Sequence, residues 1–78
     1  MTNSEKYTQA FIDTFQIDKE QLNNLTYQSI KTWDSVGHMA LIAALEETFD
    51  IMMDTEDIID LSSYKKGKEI LKKYDVEI

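Results

Sequence analysis

Apolar side chains recur mostly at three- and four-residue intervals along this chain, which is the spacing of amphipathic helices. Near the amino terminus Tyr7, Phe11 and Phe15 lie four positions apart and share one face, with Ile12 beside them. Ser4 precedes them and is a residue type that commonly caps a helix. The pattern predicts a first helix from about Ser4 to about Phe15, with its aromatic side chains in the core.

Residues 16–33 form a long connection after the first predicted helix. Its apolar side chains are spaced too irregularly for one helix. They are Leu22, Leu25, Tyr27, Ile30 and Trp33. A connection of this length is unusual in so small a domain. We expect these side chains to hold the loop against the core.

The second predicted helix begins at Asp34 or Ser35, ends near Phe49 or Asp50, and has two different faces when drawn at 100° per residue. The core stripe comprises Leu41, Ile42, Leu45, Thr48 and Phe49. The opposite face comprises Val36, Met39, Ala40 and Ala43, followed by Glu46, Glu47 and Asp50. An apolar centre with charge at the rim suits the docking of a partner. The alternative is that the alanines are only good helix formers and Met39 is an isolated apolar residue.

Two shorter helices are predicted to complete the chain. Thr55 is expected to cap a third helix ending at about Leu61, and Ser62 or Ser63 to cap a last helix ending at about Tyr74. The apolar residues expected on these helices are Ile58, Ile59, Leu61, Ile70, Leu71 and Tyr74. Proline is absent and glycine occurs only twice, so no linker is predicted. We therefore predict one all-α domain over residues 1–78, a four-helix bundle with a long first loop and a short third helix.

Composition narrows the class of protein. The chain is 42% hydrophobic and 29% charged, which is typical of a folded domain, and it contains no cysteine for disulfides or thiolate-bound zinc. Its net charge of −7 argues against nucleic-acid binding. Neither a secretory signal nor a membrane-spanning run is visible. We expect a monomeric cytoplasmic protein without a membrane span.

The charge is distributed unevenly. Between Thr32 and Tyr64 there are eight acidic residues and no lysine or arginine, whereas five of the eight lysines follow Leu61. A surface of one sign favours encounter with basic partners. The acidity could equally serve only to keep a small protein in solution.

Ser35 has two interpretations. An Asp-Ser pair before an apolar run is first of all a helix cap, and a cap needs no further chemistry. The serine could also carry a phosphodiester, because the positive end of the helix dipole and its free N–H groups favour an anion there.

The second helix resembles the segment that acyl carrier proteins build around an Asp-Ser-Leu motif. The similar residues are Asp34-Ser35-Val36, Met39, Leu41-Ile42, Ala44-Leu45-Glu46-Glu47 and Phe49-Asp50-Ile51. Length, acidity, the long first loop and the short third helix extend the resemblance over the whole chain. It implies that Ser35 bears 4′-phosphopantetheine and that Asp34 helps a phosphopantetheinyl transferase and its metal-bound coenzyme A to engage. It also implies that Val36 and Met39 make the apolar contact with partners, while Glu46 and Glu47 meet their basic residues.

The sequence also departs from the fatty-acid-synthesis members of that family. Those carriers usually have acidic residues where this chain has Gly37 and Ala40. Trp33 and His38 beside the serine resemble specialised carriers that act with surface-polysaccharide or secondary-metabolite enzymes. The resemblance thus implies a specialised carrier of acyl or aminoacyl thioesters, which is not itself an enzyme.

The expected partners are the phosphopantetheinyl transferase, a cargo-loading ligase or synthetase, and downstream transferases with basic docking patches. The alternative is a small acidic helical interaction module without a prosthetic group, in which Asp34-Ser35 is only a cap.

Two other chemistries can be weighed on the same residues. His38 follows Ser35 by three positions, which raises the question of hydrolase chemistry. The helical projection places His38 toward the core, and no sequence feature supplies an oxyanion hole, so no catalytic residue is predicted. We expect His38 to pack against the long loop or to line the entrance to a cavity between helices. The acidic run from Asp50 to Asp60 lacks the glycine and the spacing of an EF-hand, so no metal site is predicted.

Overall fold

Four α-helices and one 3-10 helix make up the fold in the computed structural model, which describes all residues from Met1 to Ile78. In chain order they are α1 (Asn3–Phe15), the 3-10 helix (Lys19–Asn24), α2 (Ser35–Phe49), α3 (Thr55–Asp60) and α4 (Tyr64–Lys72). The only β-type pairing is an isolated bridge between Thr26 and Ser63. The predicted all-α class is confirmed.

Helix α1 begins earlier than the sequence pattern predicts. Thr2 is the cap: its Oγ1 accepts a hydrogen bond from the Glu5 N–H at 3.1 Å, and Glu5 Oε1 accepts one from the Thr2 N–H at 3.0 Å. This reciprocal pair satisfies the N–H groups of both Thr2 and Glu5, whereas a serine cap alone would satisfy only one N–H group. The prediction of Ser4 as the cap was therefore wrong, whereas the predicted end at Phe15 is confirmed.

Aromatic side chains form the centre of the core. Tyr7, Phe11 and Phe15 of α1 are almost fully buried, as is Trp33 at the end of the long connection. The Trp33 ring meets Phe11 edge-on at 5.7 Å and stacks on Phe15 at 5.0 Å. Aromatic rings bury more apolar area than other side chains, so these contacts tie the connection to α1.

The long connection is anchored at several points. Leu22, Leu25 and Trp33 are buried, as expected, while Ile30 is half-buried and Tyr27 is 37% exposed. The backbone before α4 also holds it, because the Tyr27 N–H donates to Ser62 O at 2.8 Å and the Tyr64 N–H donates to Leu25 O at 3.0 Å. The 3-10 helix in the first half of this connection was not predicted, because so short a helix leaves no extended periodicity.

Helices α3 and α4 differ from the predicted ones at their ends. Asp54, not Thr55, precedes α3, and α4 ends at Lys72, two residues before the predicted end. Ser63 caps α4 by accepting from the Lys66 N–H at 2.9 Å, as one of the two predicted caps. Ile59 was expected among the apolar residues of α3 but is 72% exposed, because only one side of this short helix meets the core.

Gly67 lies where α4 crosses Tyr7 of α1. The glycine is buried, and a side-chain carbon at this position would collide with the Tyr7 hydroxyl. That hydroxyl donates a 2.6 Å hydrogen bond to Tyr64 O and is therefore not free to turn away. Burial raises the pKa of Tyr7, so the phenol stays protonated and keeps donating.

A charged cluster joins α3 to the residues after α4. The Asp57 carboxylate is buried, and it accepts hydrogen bonds from Lys73 Nζ at 2.6 Å and from the Tyr74 hydroxyl. The Tyr74 hydroxyl in turn accepts from the Asp54 N–H at 2.9 Å. The hydrogen bonds from Lys73 and Tyr74 hold the pKa of Asp57 below its ordinary value, and the bond to Asp57 raises the pKa of Lys73.

Candidate functional site

Ser35 is the first residue of α2, and its side chain is exposed. Asp34 caps the helix, since its Oδ1 accepts from the Gly37 N–H at 2.8 Å and its carbonyl accepts from the His38 N–H at 2.8 Å. The predicted start at Asp34-Ser35 is confirmed. Ser35 is thus presented to solvent by a helix that another side chain has already capped.

The backbone at this end of α2 retains donors. The N–H groups of Ser35 and Val36 make no hydrogen bond within the protein, as is usual for the first turn of a helix. They lie at the positive end of the helix dipole. The surroundings of the Ser35 hydroxyl therefore tolerate negative charge.

Gly37 brings α2 close to the loop that precedes it. A side-chain carbon at Gly37 would collide with the backbone carbonyl oxygen of Thr32 and would lie 3.3 Å from the Phe15 ring. The Thr32 hydroxyl also donates to Phe15 O at 3.1 Å. The close approach of the Thr32 backbone therefore favours glycine at this position. The sequence showed only that Gly37 stands where fatty-acid-synthesis carriers usually have an acidic residue.

Tyr27 is the side chain of the loop that reaches Ser35. Its hydroxyl lies 3.4 Å from Ser35 Oγ, and its ring meets the rings of Trp33 and His38 edge-on at 6.3 and 5.5 Å. The sequence pattern predicts only that Tyr27 helps to hold the loop against the core. Its separation of eight residues from Ser35, with no helical spacing between them, left no signal of this proximity.

His38 uses both of its ring nitrogens away from Ser35. Trp33 Nε1–H donates to Nδ1 at 3.0 Å, and Nε2 lies 2.7 Å from Ile58 O. An indole N–H can only donate and a carbonyl can only accept, so the ring is neutral with its proton on Nε2. The His38 ring also stacks on Trp33, with an interplanar angle of 13°. His38 therefore links the loop, α2 and α3, and a base role toward Ser35 does not fit this geometry.

Four surface cavities are present, and none reaches His38. Their lining residues all lie before Glu20 or after Ala43. Of the two predicted surroundings of His38, the structure has the packing against the loop and no cavity entrance.

The outer face of α2 is apolar and open. Val36 is 79% exposed and Met39 54% exposed, and the smaller Ala40 and Ala43 are also exposed. The core stripe holds for Leu41, Ile42 and Leu45, with Phe49 half-buried. Thr48 was wrongly assigned to that stripe and is exposed, because it lies at the edge of the stripe, on the side away from Ile42 and Phe49.

The two glutamates near the end of α2 have different surroundings. Glu46 is half-buried, and its Oε2 accepts from the Met53 N–H at 2.9 Å, which fixes the turn after the helix. Glu47 is exposed, as is Asp50, which ends the helix in a left-handed conformation with φ 53°. Glu47 and Asp50 thus carry the free charge, whereas one oxygen of Glu46 serves the fold.

Exposed apolar residues also occur beyond α2. Ile59 of α3 follows Ile58, whose carbonyl contacts His38, so Ile59 lies near the first turns of α2. Met52, 86% exposed, follows the end of α2. Ile59 was predicted only as an apolar residue of the third helix and Met52 was not singled out, because the pattern does not distinguish an exposed apolar residue from a buried one.

No three His, Cys, Asp or Glu side chains come together in a way that could hold a metal ion, and no helix is long and apolar enough to cross a membrane. The site is therefore a capped helix start, an exposed serine, a loop tyrosine and an apolar outer face. Comparison of the chain with models of protein families, with curated proteins and with solved structures finds no match.

Proposed function

We propose that this protein is a carrier that holds acyl or aminoacyl cargo as a thioester on a 4′-phosphopantetheine arm attached to Ser35. The observation that carries the proposal is the exposed Ser35 hydroxyl on the first turn of a helix capped by Asp34. The order of the helices, with a long first connection and a short α3, is also that expected of an acyl-carrier arrangement.

The residues around Ser35 fit a phosphodiester. The hydroxyl is accessible, the Ser35 and Val36 N–H groups are free, and the Tyr27 hydroxyl lies within 3.4 Å. No acidic side chain is hydrogen-bonded to Ser35 Oγ. When bound, the arm supplies a terminal thiol, which this cysteine-free chain does not have.

Ser35 is the nucleophile when the arm is attached. Its Oγ forms a bond to the phosphorus that bears pantetheine in coenzyme A, and the bond to the other phosphate of the pyrophosphate breaks. The adenosine 3′,5′-bisphosphate leaves, and the hydroxyl proton passes to a base of the transferase. Asp34 keeps the helix start rigid through Oδ1, while Oδ2 makes no hydrogen bond within the protein and can face the metal-bound coenzyme A.

The outer face of α2 supports docking of partner enzymes. Val36 and Met39 offer apolar contact beside Ser35, with Ala40 and Ala43 leaving the surface smooth. Glu47 lies beyond them as an accessible charge that can orient a basic partner. Because Gly37 and Ala40 put no charge beside Ser35, we assign the chain to a specialised biosynthetic pathway rather than to general fatty acid synthesis.

Mass spectrometry tests the proposal. The protein is incubated with coenzyme A, Mg²⁺ and a broad-specificity phosphopantetheinyl transferase, beside Ser35→Ala and Ser4→Ala variants. The wild type and Ser4→Ala are expected to gain the mass of one phosphopantetheine, and Ser35→Ala to gain none. An unmodified wild type, or a gain that persists in Ser35→Ala, would refute the carrier function.

A second candidate, a helical interaction module without a prosthetic group, is favoured by one observation. Asp34 is fully accounted for as a helix cap, and a cap needs no modified serine next to it. The same experiment separates the two, because the interaction module gains no mass on any variant.

A further inference from the structure

The loop that carries Tyr27 is closed on itself next to Ser35. The Gln28 N–H donates to Trp33 O at 3.0 Å, and the Trp33 N–H donates to Ile30 O at 3.2 Å. Gln28 has φ 65°, a left-handed conformation that turns the chain back. The loop therefore returns to Asp34-Ser35 with Tyr27 at its other end.

The backbone of Tyr27 is fixed from a second side. Its N–H donates to Ser62 O at 2.8 Å, and the Ser29 hydroxyl donates to Thr26 O at 2.6 Å. These bonds lie on both sides of Tyr27 and leave its backbone little freedom. The position of the phenol is thus decided by the fold rather than by a mobile loop.

The ring of Tyr27 is held by two partners that are themselves fixed. Trp33 is fully buried, and His38 is bonded to Trp33 Nε1 and to Ile58 O. Edge contacts of this kind orient an aromatic ring. The ring is pinned on one side only, and its hydroxyl stays accessible beside Ser35 Oγ.

We propose that Tyr27 is a positioning residue for the arm, donating its hydroxyl proton to a non-bridging oxygen of the phosphodiester on Ser35. This inference rests on the proposed function. Once Oγ is esterified it has no proton to donate, so the Tyr27 hydroxyl, which lies 3.4 Å from Oγ, can act only as the donor toward the phosphodiester. A hydroxyl bound to an anionic oxygen makes a shorter and stronger hydrogen bond than one bound to a neutral partner.

The consequence concerns the direction of the arm. A phosphodiester held by Tyr27 loses rotation about the bonds that join it to Ser35, so the arm leaves the surface over a narrower range of angles. No other side chain is hydrogen-bonded to Ser35 Oγ, so Tyr27 is the side chain placed to restrict that rotation.

The test uses the loaded protein and ³¹P nuclear magnetic resonance. Tyr27→Phe removes only the hydroxyl and keeps the ring against Trp33 and His38. Tyr64→Phe is the matched control, since it removes a phenolic hydroxyl that bonds to Thr8, on another part of the fold. All three proteins are loaded to completion, as judged by mass, with longer incubation where loading is slow.

The expected result is a ³¹P resonance of Tyr27→Phe that is displaced from that of the wild type and narrower, because the phosphodiester moves more freely. Tyr64→Phe is expected to match the wild type. Identical positions and widths in the wild type and Tyr27→Phe would overturn the role of Tyr27, and so would an equal change in Tyr64→Phe. A wild type that gains no mass would instead refute the carrier function itself, so the two failures are distinct.

Discussion

The two glycines of this chain both stand where a side chain would collide, but with different kinds of atom. Gly67 faces the hydroxyl of a buried tyrosine in the core, and Gly37 faces a backbone carbonyl of the exposed loop beside Ser35. The Tyr7 hydroxyl is held by its bond to Tyr64 O, whereas Thr32 O accepts no backbone hydrogen bond. The same residue type thus serves stability at one position and site geometry at the other.

The difference shows how this small domain divides its tasks. Gly67 and Tyr7 are both buried where α4 meets α1, so an atom added at Gly67 must displace the Tyr7 side chain. The start of α2 is packed on its inner side only, through Trp33 and Phe15, and its outer side is open. A substitution there is expected to affect the relative position of Ser35 and Tyr27 more than the stability of the fold.

Gly67→Ala is expected to have the largest effect on stability. Overpacking of a core typically costs about 1–3 kcal/mol, and alanine recovers about 0.8–1 kcal/mol of it through helix propensity. We expect the free energy of unfolding, measured in urea, to fall by up to about 2 kcal/mol on this balance. Loading of Ser35 below the unfolding temperature is expected to be unchanged.

The Tyr7→Phe background sharpens that prediction. Phenylalanine lacks the hydroxyl with which the new methyl group collides, so Gly67→Ala is expected to cost less there than in the wild type. An equal cost in both backgrounds would show that the collision is not the cause.

His38→Ala is expected to come next, because it removes two hydrogen bonds at once. The Trp33 indole N–H and Ile58 O lose their partner, which costs about 1–2 kcal/mol for half-buried groups. We expect a change in the fluorescence of Trp33, with attachment at Ser35 preserved. His38→Gln, which can both donate and accept, is the control and should recover part of the stability; loss of attachment in His38→Ala would contradict the assignment.

Gly37→Ala is expected to lower the free energy of unfolding by about 1 kcal/mol, because its methyl group would collide with the Thr32 backbone carbonyl and the gain in helix propensity offsets only part of that cost. Its effect should appear in the rate of loading, because the loop that carries Tyr27 moves relative to Ser35. Mass spectrometry over time measures that rate. Gly67→Ala is the comparison variant, in which stability is expected to fall while the rate of loading is unchanged. A stable, normally loaded Gly37→Ala would remove the distinction drawn between the two glycines.

The smallest effect is expected from Asp57 and is confined to acid. The pKa of Asp57 is lowered in the folded protein, so the unfolded state binds more protons as the pH falls through the ordinary value of 3.8. The stabilisation is therefore complete above that value and is lost below it, toward the pKa of the folded state. Asp57→Asn should flatten this part of the stability profile measured by urea unfolding, while the control Lys66→Ala should leave its slope unchanged.

Much of the fold could be predicted because helical periodicity is strong in α1 and α2. The burial of Phe11, the start of α2 at Asp34-Ser35 and the open face around Met39 all follow from spacing. The errors lie at ends, where local chemistry decides. The reciprocal Thr2–Glu5 cap replaced Ser4, and Thr48 is exposed because it lies at the edge of the apolar stripe of α2.

The candidate site was only partly predictable for a related reason. Ser35 and its cap are neighbours in sequence, so the motif contains them. Tyr27 reaches Ser35 through a left-handed turn at Gln28, and His38 reaches Ile58 across twenty residues. Contacts of this kind depend on how the irregular loop folds, which periodicity does not describe.

By itself, the sequence determined the helical class, the acidic middle of the chain and the exposed serine at the start of α2, because these depend on composition and on local spacing. The tertiary structure alone decided which groups surround that serine. Gly37 lets the loop approach, Trp33 and His38 orient the Tyr27 ring, and the Tyr27 hydroxyl arrives beside Ser35 Oγ. Such contacts join residues from separate segments, and only the packing of the whole chain fixes their distances.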